Sequence, residues 1–197
     1  MDEPDGATPL DPDELAGLRH RHVTTRGQLD RLEQANIQEA LAWLPRRRKG
    51  GVLTRDFVAA LHRRMFGQVW RWAGSFRRSD KNTGVAHEQI EEQLRMLLGD
   101  VLYWVENGTF SPMEIAVRFH HRLVSIHPFP NGNGRHARII ADVLLTECFG
   151  LPGIDWAGGQ GLQAMTGRRT QYITALRAAD LGDYAPLLAF AGVPDAG

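Results

Sequence analysis

Residues His127 to Arg138 read H-P-F-P-N-G-N-G-R-H-A-R, and they commit the chain to a tight turn followed at once by a helix. Pro128 disfavours helical backbone in the residue before it, so a helix arriving at His127 ends there. The glycines of Gly132-Asn133-Gly134 let backbone approach where side chains would obstruct, and beyond them Ile139, Ile140, Val143 and Leu144 recur at helical spacing. The amides of the turn therefore open onto a helix N-terminus, where unpaired N–H groups and the macrodipole favour an anion such as phosphate. Arg135 and Arg138 share one face of that helix and can present forked donors to the same phosphate chain. His127 is the group of this segment able to accept a proton near neutral pH. Taken singly, H-P-F is a segment ending at proline and N-G-N-G an ordinary turn. Joined to R-x-x-R on an apolar helix, they point to a base beside an anion cradle.

The remaining chain reads as helices almost throughout. Leu29, Leu32, Ile37, Leu41 and Leu44 mark a helix that Pro45 ends, and Phe57, Leu61 and Met65 mark another. Ile90, Leu94, Leu97, Val101 and Leu102 share a side of a helix from His87 to Val105. Pro112 starts a further one that carries Ile115, Phe119 and Leu123 to His127. Trp70 and Trp72 read as core aromatics. With 197 residues, 43% of them hydrophobic, the chain can build one sizeable core. A loose segment over 1–28, one domain over 29–190 and a tail over 191–197 are expected. The formal net charge is zero, so nothing drives the chain wholesale onto nucleic acid or membrane. No secretory leader or membrane span is visible, which points to the cytoplasm. Cys148, the single cysteine, excludes a disulfide framework and reads as a small buried hydrophobe.

Four segments carry weaker signals. Ser75 to Val85, with polar alternation around Asn82-Thr83-Gly84, reads as a short exposed β-hairpin to which Arg77, Arg78 and Lys81 add positive charge. Arg46-Arg47-Arg48-Lys49 reads as a solvated charge cluster. His120 and His121 invite a metal reading beside His127 and His136, but without a Cys or H-E-x-x-H pattern they read as hydrogen-bonded helix histidines. Gly158-Gly159-Gln160-Gly161 lacks the Lys-Ser/Thr of a phosphate loop and is at most a wall of a nucleotide pocket.

The segment His127, Pro128, Phe129, Gly132, Asn133, Gly134, Arg135 and Arg138 resembles the motif of the Fic (Fido) family, H-P-F-x-[D/E]-G-N-G-R-x-x-R. Similarity from about Thr8 to Phe190, carried by L-E-Q-A-N-I, H-R-R-M-F-G-Q-V-W-R-W-A-G-S-F-R, N-T-G-V and Y-I-T-A-L-R-A-A-D-L-G-D-Y, resembles the group called mobile mystery protein B. This resemblance implies an all-α, Fic-type helical bundle with a short β-hairpin flap. The implied activity is transfer of a nucleoside monophosphate, usually AMP from ATP, onto a Ser, Thr or Tyr hydroxyl of a target protein or of the chain itself. His127 would be the base, Gly132, Asn133 and Gly134 would hold the α- and β-phosphates, Arg135 the β and Arg138 the γ. The stretch with Arg77, Lys81, Asn82, Thr83, Gly84 and Val85 would be the flap that holds the target by strand addition.

Two departures from the family pattern matter. Asn131 stands where active members carry an acid, and an amide offers Mg²⁺ only a carbonyl dipole, so weak metal binding and slow turnover are expected. In L-D-R-L-E-Q, Leu29 and Gln34 replace the Ser/Thr and Gly/Asn that flank the family's inhibitory glutamate, which leaves Glu33 on the helix 29–44 either an inhibitor paired with Arg138 or a solvated carboxylate. The resemblance also suggests a small helix-turn-helix or antitoxin partner. Two other readings stay open: a non-catalytic nucleotide-binding module, and a toxin-like nucleic-acid binder using Arg46 to Lys49.

Overall fold

Thr25, Thr54 and Ser111 decide where three of the helices begin. Thr25 Oγ1 accepts from the Gln28 amide at 3.3 Å while Gln28 Oε1 accepts from the Thr25 amide at 3.2 Å, a reciprocal box that opens α2 (Arg26–Trp43). Thr54 Oγ1 accepts from the Phe57 amide at the start of α3 (Arg55–Phe66). Ser111 caps α5 (Pro112–Ile126), whose first position is the proline expected there. In this computed structural model, which describes residues 11–20, 22–156 and 168–192, the order is completed by α1 (Pro12–Leu15), α4 (Ile90–Asn107), α6 (Asn133–Leu144), α7 (Arg169–Asp180) and α8 (Ala185–Phe190).

α5 and α6 are buried along most of their length because they are packed on two sides. Ile115, Phe119, Leu123 and Ile126 of α5, with Ile139, Ile140, Val143 and Leu144 of α6, join α2, α3 and α4 in the larger core. Ala116 and Val117 on the other side of α5, with Ala141 and Leu145, pack against Trp156, α7 and α8 in a smaller one. The site segment between α5 and α6 is thus held by two helices that each pack into both cores.

Five expectations need correction. The segment expected to be loose docks over residues 11–20. Arg19 donates its amide to Val69 O, Arg71 donates to Gly17 O, and Trp72 Nε1 donates to Glu14 O. A Cβ on Gly17 would lie 2.5 Å from the Trp72 ring, so glycine is what lets this strap lie flat. Second, among the described residues the only β pairing is the isolated Leu18–Trp70 bridge, and Ser75 to Val85 is an irregular loop, not a hairpin. Third, Cys148 is exposed, because a π-helical turn over Leu145–Phe149 rotates it off the buried side of α6. Fourth, Arg47 is not solvated. It pairs with Glu147 at 2.5 Å and lies 4.1 Å over the Phe57 ring, while Arg46, Arg48 and Lys49 are exposed. Leu102, expected inward on α4, is 46% exposed, since the buried stripe turns away after Val101.

A contrast of two truncations of large apolar side chains tests this architecture. Phe119→Ala, at a fully buried position shared by the central helix, is expected to cost about 3–5 kcal/mol, and Leu102→Ala within about 0.5 kcal/mol of nothing, both read from urea midpoints. Equal losses would show that α4 and α5 are not faced as described.

Candidate functional site

The turn between α5 and α6 is built around Phe129, which is fully buried and stacks on the His62 ring of α3 at a centroid distance of 3.7 Å. Asn133 clamps it: its Oδ1 accepts from the Phe129 amide at 2.9 Å and its Nδ2 donates to Phe129 O at 2.8 Å. Asn133 therefore holds the loop with its side chain and can offer a ligand only its backbone. His62 Nδ1 accepts from the Gly74 amide, which leaves Nε2 to donate to Asn131 O, both at 3.0 Å. Gly132 takes a left-handed φ of 79°, and a Cβ there would lie 2.6 Å from the Phe66 ring. The first bond of α6 runs from the His136 amide to Gly132 O, so the amides of Asn133, Gly134 and Arg135 precede the helical ladder. A Cβ on Gly134 would meet only Tyr172 Oη, at 3.9 Å. Packing does not require glycine at 134, whereas close approach of an anion to the helix start does.

His127 ends α5 in a left-handed conformation, φ 54° and ψ 58°, and is the one non-glycine with positive φ among the described residues. Burial lowers its pKa to about 4, with the charges of Arg77 and Lys81 acting the same way and a hydrogen bond to the Val124 backbone opposing them. The imidazole is thus neutral at pH 7 and chemically able to accept a proton. Burial also holds His120 and His136 near about 3 and His62 well below its ordinary value.

The two motif arginines look in different directions, being three residues and so about 60° apart around the helix. Arg135 stacks over Phe66 and pairs through Nη1 with Glu33 Oε2 at 2.6 Å. Glu33 is buried, and its other oxygen accepts from Trp70 Nε1 at 2.6 Å. Arg138 faces α5 and α7 instead: it donates to the Tyr172 hydroxyl, which shares a 2.9 Å hydrogen bond with His120 Nε2. Its Nε is buried with no hydrogen-bond partner, and burial depresses its pKa. The expected Glu33–Arg138 pair is therefore corrected to Glu33–Arg135, and Glu33 is not a solvated carboxylate. Asn131 Oδ1 turns back on its own loop, accepting from the Gly132 amide at 2.6 Å with Arg135 Nη2 at 3.5 Å. An oxygen held this way beside a guanidinium does not fit a divalent cation, and among the described residues no cluster of three metal-ligating side chains occurs.

The loop over 75–85 divides into a fixed and an open part. Arg77, expected on a target-binding surface, is buried, with Nε donating to His127 O at 2.7 Å and Nη1 to Ser79 O at 2.8 Å, while Nη2 donates to Val85 O. The backbone bonds that a hairpin would make internally go to the turn: the Arg77 amide to Pro128 O at 2.9 Å and the Val85 amide to Ile126 O at 3.4 Å. Lys81 is also committed, to Asp11 at 2.8 Å and Glu14 at 2.6 Å. Asn82, Thr83 and Gly84 are exposed, and Val85 half-buried. His120 and His121 are hydrogen-bonded helix histidines as expected, the latter bridging Tyr184 and Asp180 at 2.9 and 2.8 Å. Gly158 to Gly161 lie outside the described residues. Sequence reasoning missed the parts played by Tyr172, Trp70 and His62. Tyr172 and Trp70 stood in the passages that carry the resemblance, but nothing in their spacing says which arginine or carboxylate they meet.

Residues 52–145 match the Fic/DOC family model. Over 143 residues the chain is 31% identical to the protein adenylyltransferase fic-1 of Caenorhabditis elegans, covering 68% of this chain and 26% of that protein. Over 175 residues it is 28% identical to the protein adenylyltransferase Fic of Nematostella vectensis, covering 85% and 39%. The chain thus spans about a quarter to two fifths of the length of these curated relatives. The solved structure of a fragment of C. elegans Fic-1 superposes with a TM-score of 0.64 at 26% identity over 89% of this chain and 51% of that one. BepC of Bartonella tribocorum, solved with bound AMPPNP, shares the fold at a TM-score of 0.69 and 18% identity over 93% and 98%. Family match, helical fold and motif agree: the chain belongs to the Fic/DOC family.

The buried imidazoles make stability depend on pH. His62, His120, His127 and His136 all have folded-state pKa values below the ordinary 6.5, so the unfolded chain binds the extra protons and stability present above pH 6.5 is lost as pH falls toward about 4. Asp142, raised to about 6 by burial, opposes this with one proton. Urea unfolding is expected to lose a few kcal/mol between pH 7 and pH 5, at about 1.4 kcal/mol per net proton per pH unit. A flat profile over that range would show that these rings are not buried neutral.

Proposed function

We propose that the chain is a nucleotidyltransferase that moves AMP, or another nucleoside monophosphate, from a triphosphate to a Ser, Thr or Tyr hydroxyl of a protein, itself included. The observation that carries this reading is a neutral imidazole, His127, in the turn that opens onto the amide-lined start of α6, where Gly134 is bare without a packing reason. The names of its relatives, protein adenylyltransferases, support the same reaction. In it, His127 takes the hydroxyl proton as the oxygen attacks the α-phosphorus in line, the new O–P bond forms, and the bond to pyrophosphate breaks. The amides of Gly134 and Arg135 hold phosphate oxygens, and Arg138, with its unpaired Nε, adds charge to the departing phosphates. Asn82, Thr83 and Gly84 present the main chain to which a target segment adds.

Glu33 gives the reading its regulation. While it holds Arg135, that guanidinium is withheld from phosphate, so the free chain is slow. Mg²⁺ has no strong protein ligand at Asn131 and contributes weakly. Within the family we place the chain in the mobile mystery protein B group, acting in the cytoplasm with a small helix-turn-helix or antitoxin partner. A second reading, a nucleotide-binding module without transfer, is favoured by one observation: Arg135 and the Asn131 amide are both turned to internal partners.

Incubation with α-phosphate-labelled nucleotides separates the two readings. His127→Asn tolerates the left-handed backbone yet supplies no base, so self-labelling is expected to fall by about 10²- to 10⁴-fold with ATP binding retained. Nucleotide binding with no label from either protein favours the module. Asn131→Asp should raise Mg²⁺-dependent labelling, and equal labelling would remove position 131 from metal binding. Glu33→Gln keeps an acceptor for Trp70 while releasing Arg135, and is expected to raise labelling several-fold. No change would leave inhibition to a partner.

A further inference from the structure

A buried guanidinium surrounded mainly by carbonyl oxygens is an expensive way to fill space, and the Arg77 side chain is fully buried with the carboxylate of Asp80 3.7 Å away and the charge of Glu14 also bearing on it. Its donors converge on the reacting turn. Nε reaches His127 O at 2.7 Å, and the Arg77 amide reaches Pro128 O at 2.9 Å, so one residue grips two successive carbonyls at the point where α5 ends. The other end of the fork takes Ser79 O and Val85 O, the two ends of the loop whose exposed middle is Asn82 to Gly84. His127 meanwhile sits in a left-handed backbone conformation that is costly for L residues and that persists only where surroundings enforce it.

We infer that Arg77 is a positioning residue for His127: it enforces the left-handed turn that aims the imidazole and locks the target-holding loop at a set distance from it. The inference rests on the transferase reading for what the imidazole is aimed at, and on geometry alone for how it is held. Gly84 shows how close that lock is. Its φ is +98°, and a Cβ there would fall 2.6 Å from His127 Cβ, 2.9 Å from Arg77 Nη2 and 3.1 Å from Ile126 O. A main chain added at Asn82 to Gly84 would thus lie directly beside the imidazole without a side chain between them. The charge of Arg77 serves the same end, since a cation beside the ring favours its neutral form. The charged groups bearing on His127 are Arg77 and Lys81, both from the loop, while α5 contributes the Val124 backbone, so removing Arg77 leaves Lys81 as the remaining cation.

NMR titration of the His127 ring and of its backbone carbon shifts, followed beside nucleotide transfer, tests this in the full chain. Arg77→Gln removes charge and fork: the His127 midpoint is expected to move up by about one pH unit, transfer to fall at least tenfold, and the Kd for ATP to stay within about twofold of wild type. Arg77→Lys keeps the charge but cannot span three carbonyls, so the midpoint should stay near that of wild type while the left-handed shift signature at His127 is lost and transfer falls. An unchanged midpoint in Arg77→Gln, or a wild-type shift signature and full transfer in Arg77→Lys, overturns the inference. If Arg77→Gln fails to fold, the Arg77→Lys signature decides by itself. If wild type transfers no label, the transferase reading fails, while the titration and backbone shifts still decide whether Arg77 holds His127.

Discussion

The stack of Phe129 on His62 is the contact on which the site depends. It buries the centre of the turn against α3, and it works only because the backbone around Phe129 is fully hydrogen-bonded by the Asn133 amide and by His62 itself. A turn of this kind, carrying unpaired amides at its far end, would otherwise have to choose between burial and solvation of its polar groups. Here the buried half is satisfied internally and the helix-start amides are left outside the helical ladder.

Burial then sets the charges. Four histidines are kept neutral by desolvation, one of them His127, while the two arginines of the motif sit in partly or fully buried positions against different neighbours, Glu33 for Arg135 and Tyr172 for Arg138. Glu33 supplies Arg135 with a carboxylate and is itself steadied by Trp70, so the helix α2 is tied to the site through a buried ion pair and an indole. Breaking one member of such a pair leaves the other buried and uncompensated, which is costly even where the intact pair adds little stability. On the opposite side, Lys81 ties the segment Asp11 to Glu14 to the loop over the site, so both N-terminal elements report to the same turn.

The larger helices were legible because their signals are local: apolar spacing at 3.6 residues, Pro112 at a first position, and Pro128 and Gly132 at a boundary, whereas the caps Thr25, Thr54 and Ser111 were not read from the sequence. The glycine-rich turn and the helix start after it were legible for the same reason, since Gly132 to Arg138 is one contiguous segment. Several other placements were not. Arg77 reads as an exposed flap charge until its carbonyl partners at 127, 79 and 85 are known. The loop's hairpin pattern is overridden because Ile126 O and Pro128 O accept the amides that a hairpin would pair internally. Cys148 follows the apolar rhythm of α6 in sequence, yet a π-helical turn shifts the phase before it.

What the sequence alone determined is the inventory and order of this protein: an all-helical chain, the turn at 127–138, and the histidine and arginines that the turn carries. Which guanidinium meets Glu33 was decided only in three dimensions. Arg135 and Arg138 are equivalent in a spacing argument, and their difference of about 60° around α6 sends one toward α2 and Trp70 and the other toward Tyr172 on α7. Periodicity specifies which face of a helix is buried, but the partner of a buried charge depends on how separate helices cross, and no local pattern records that.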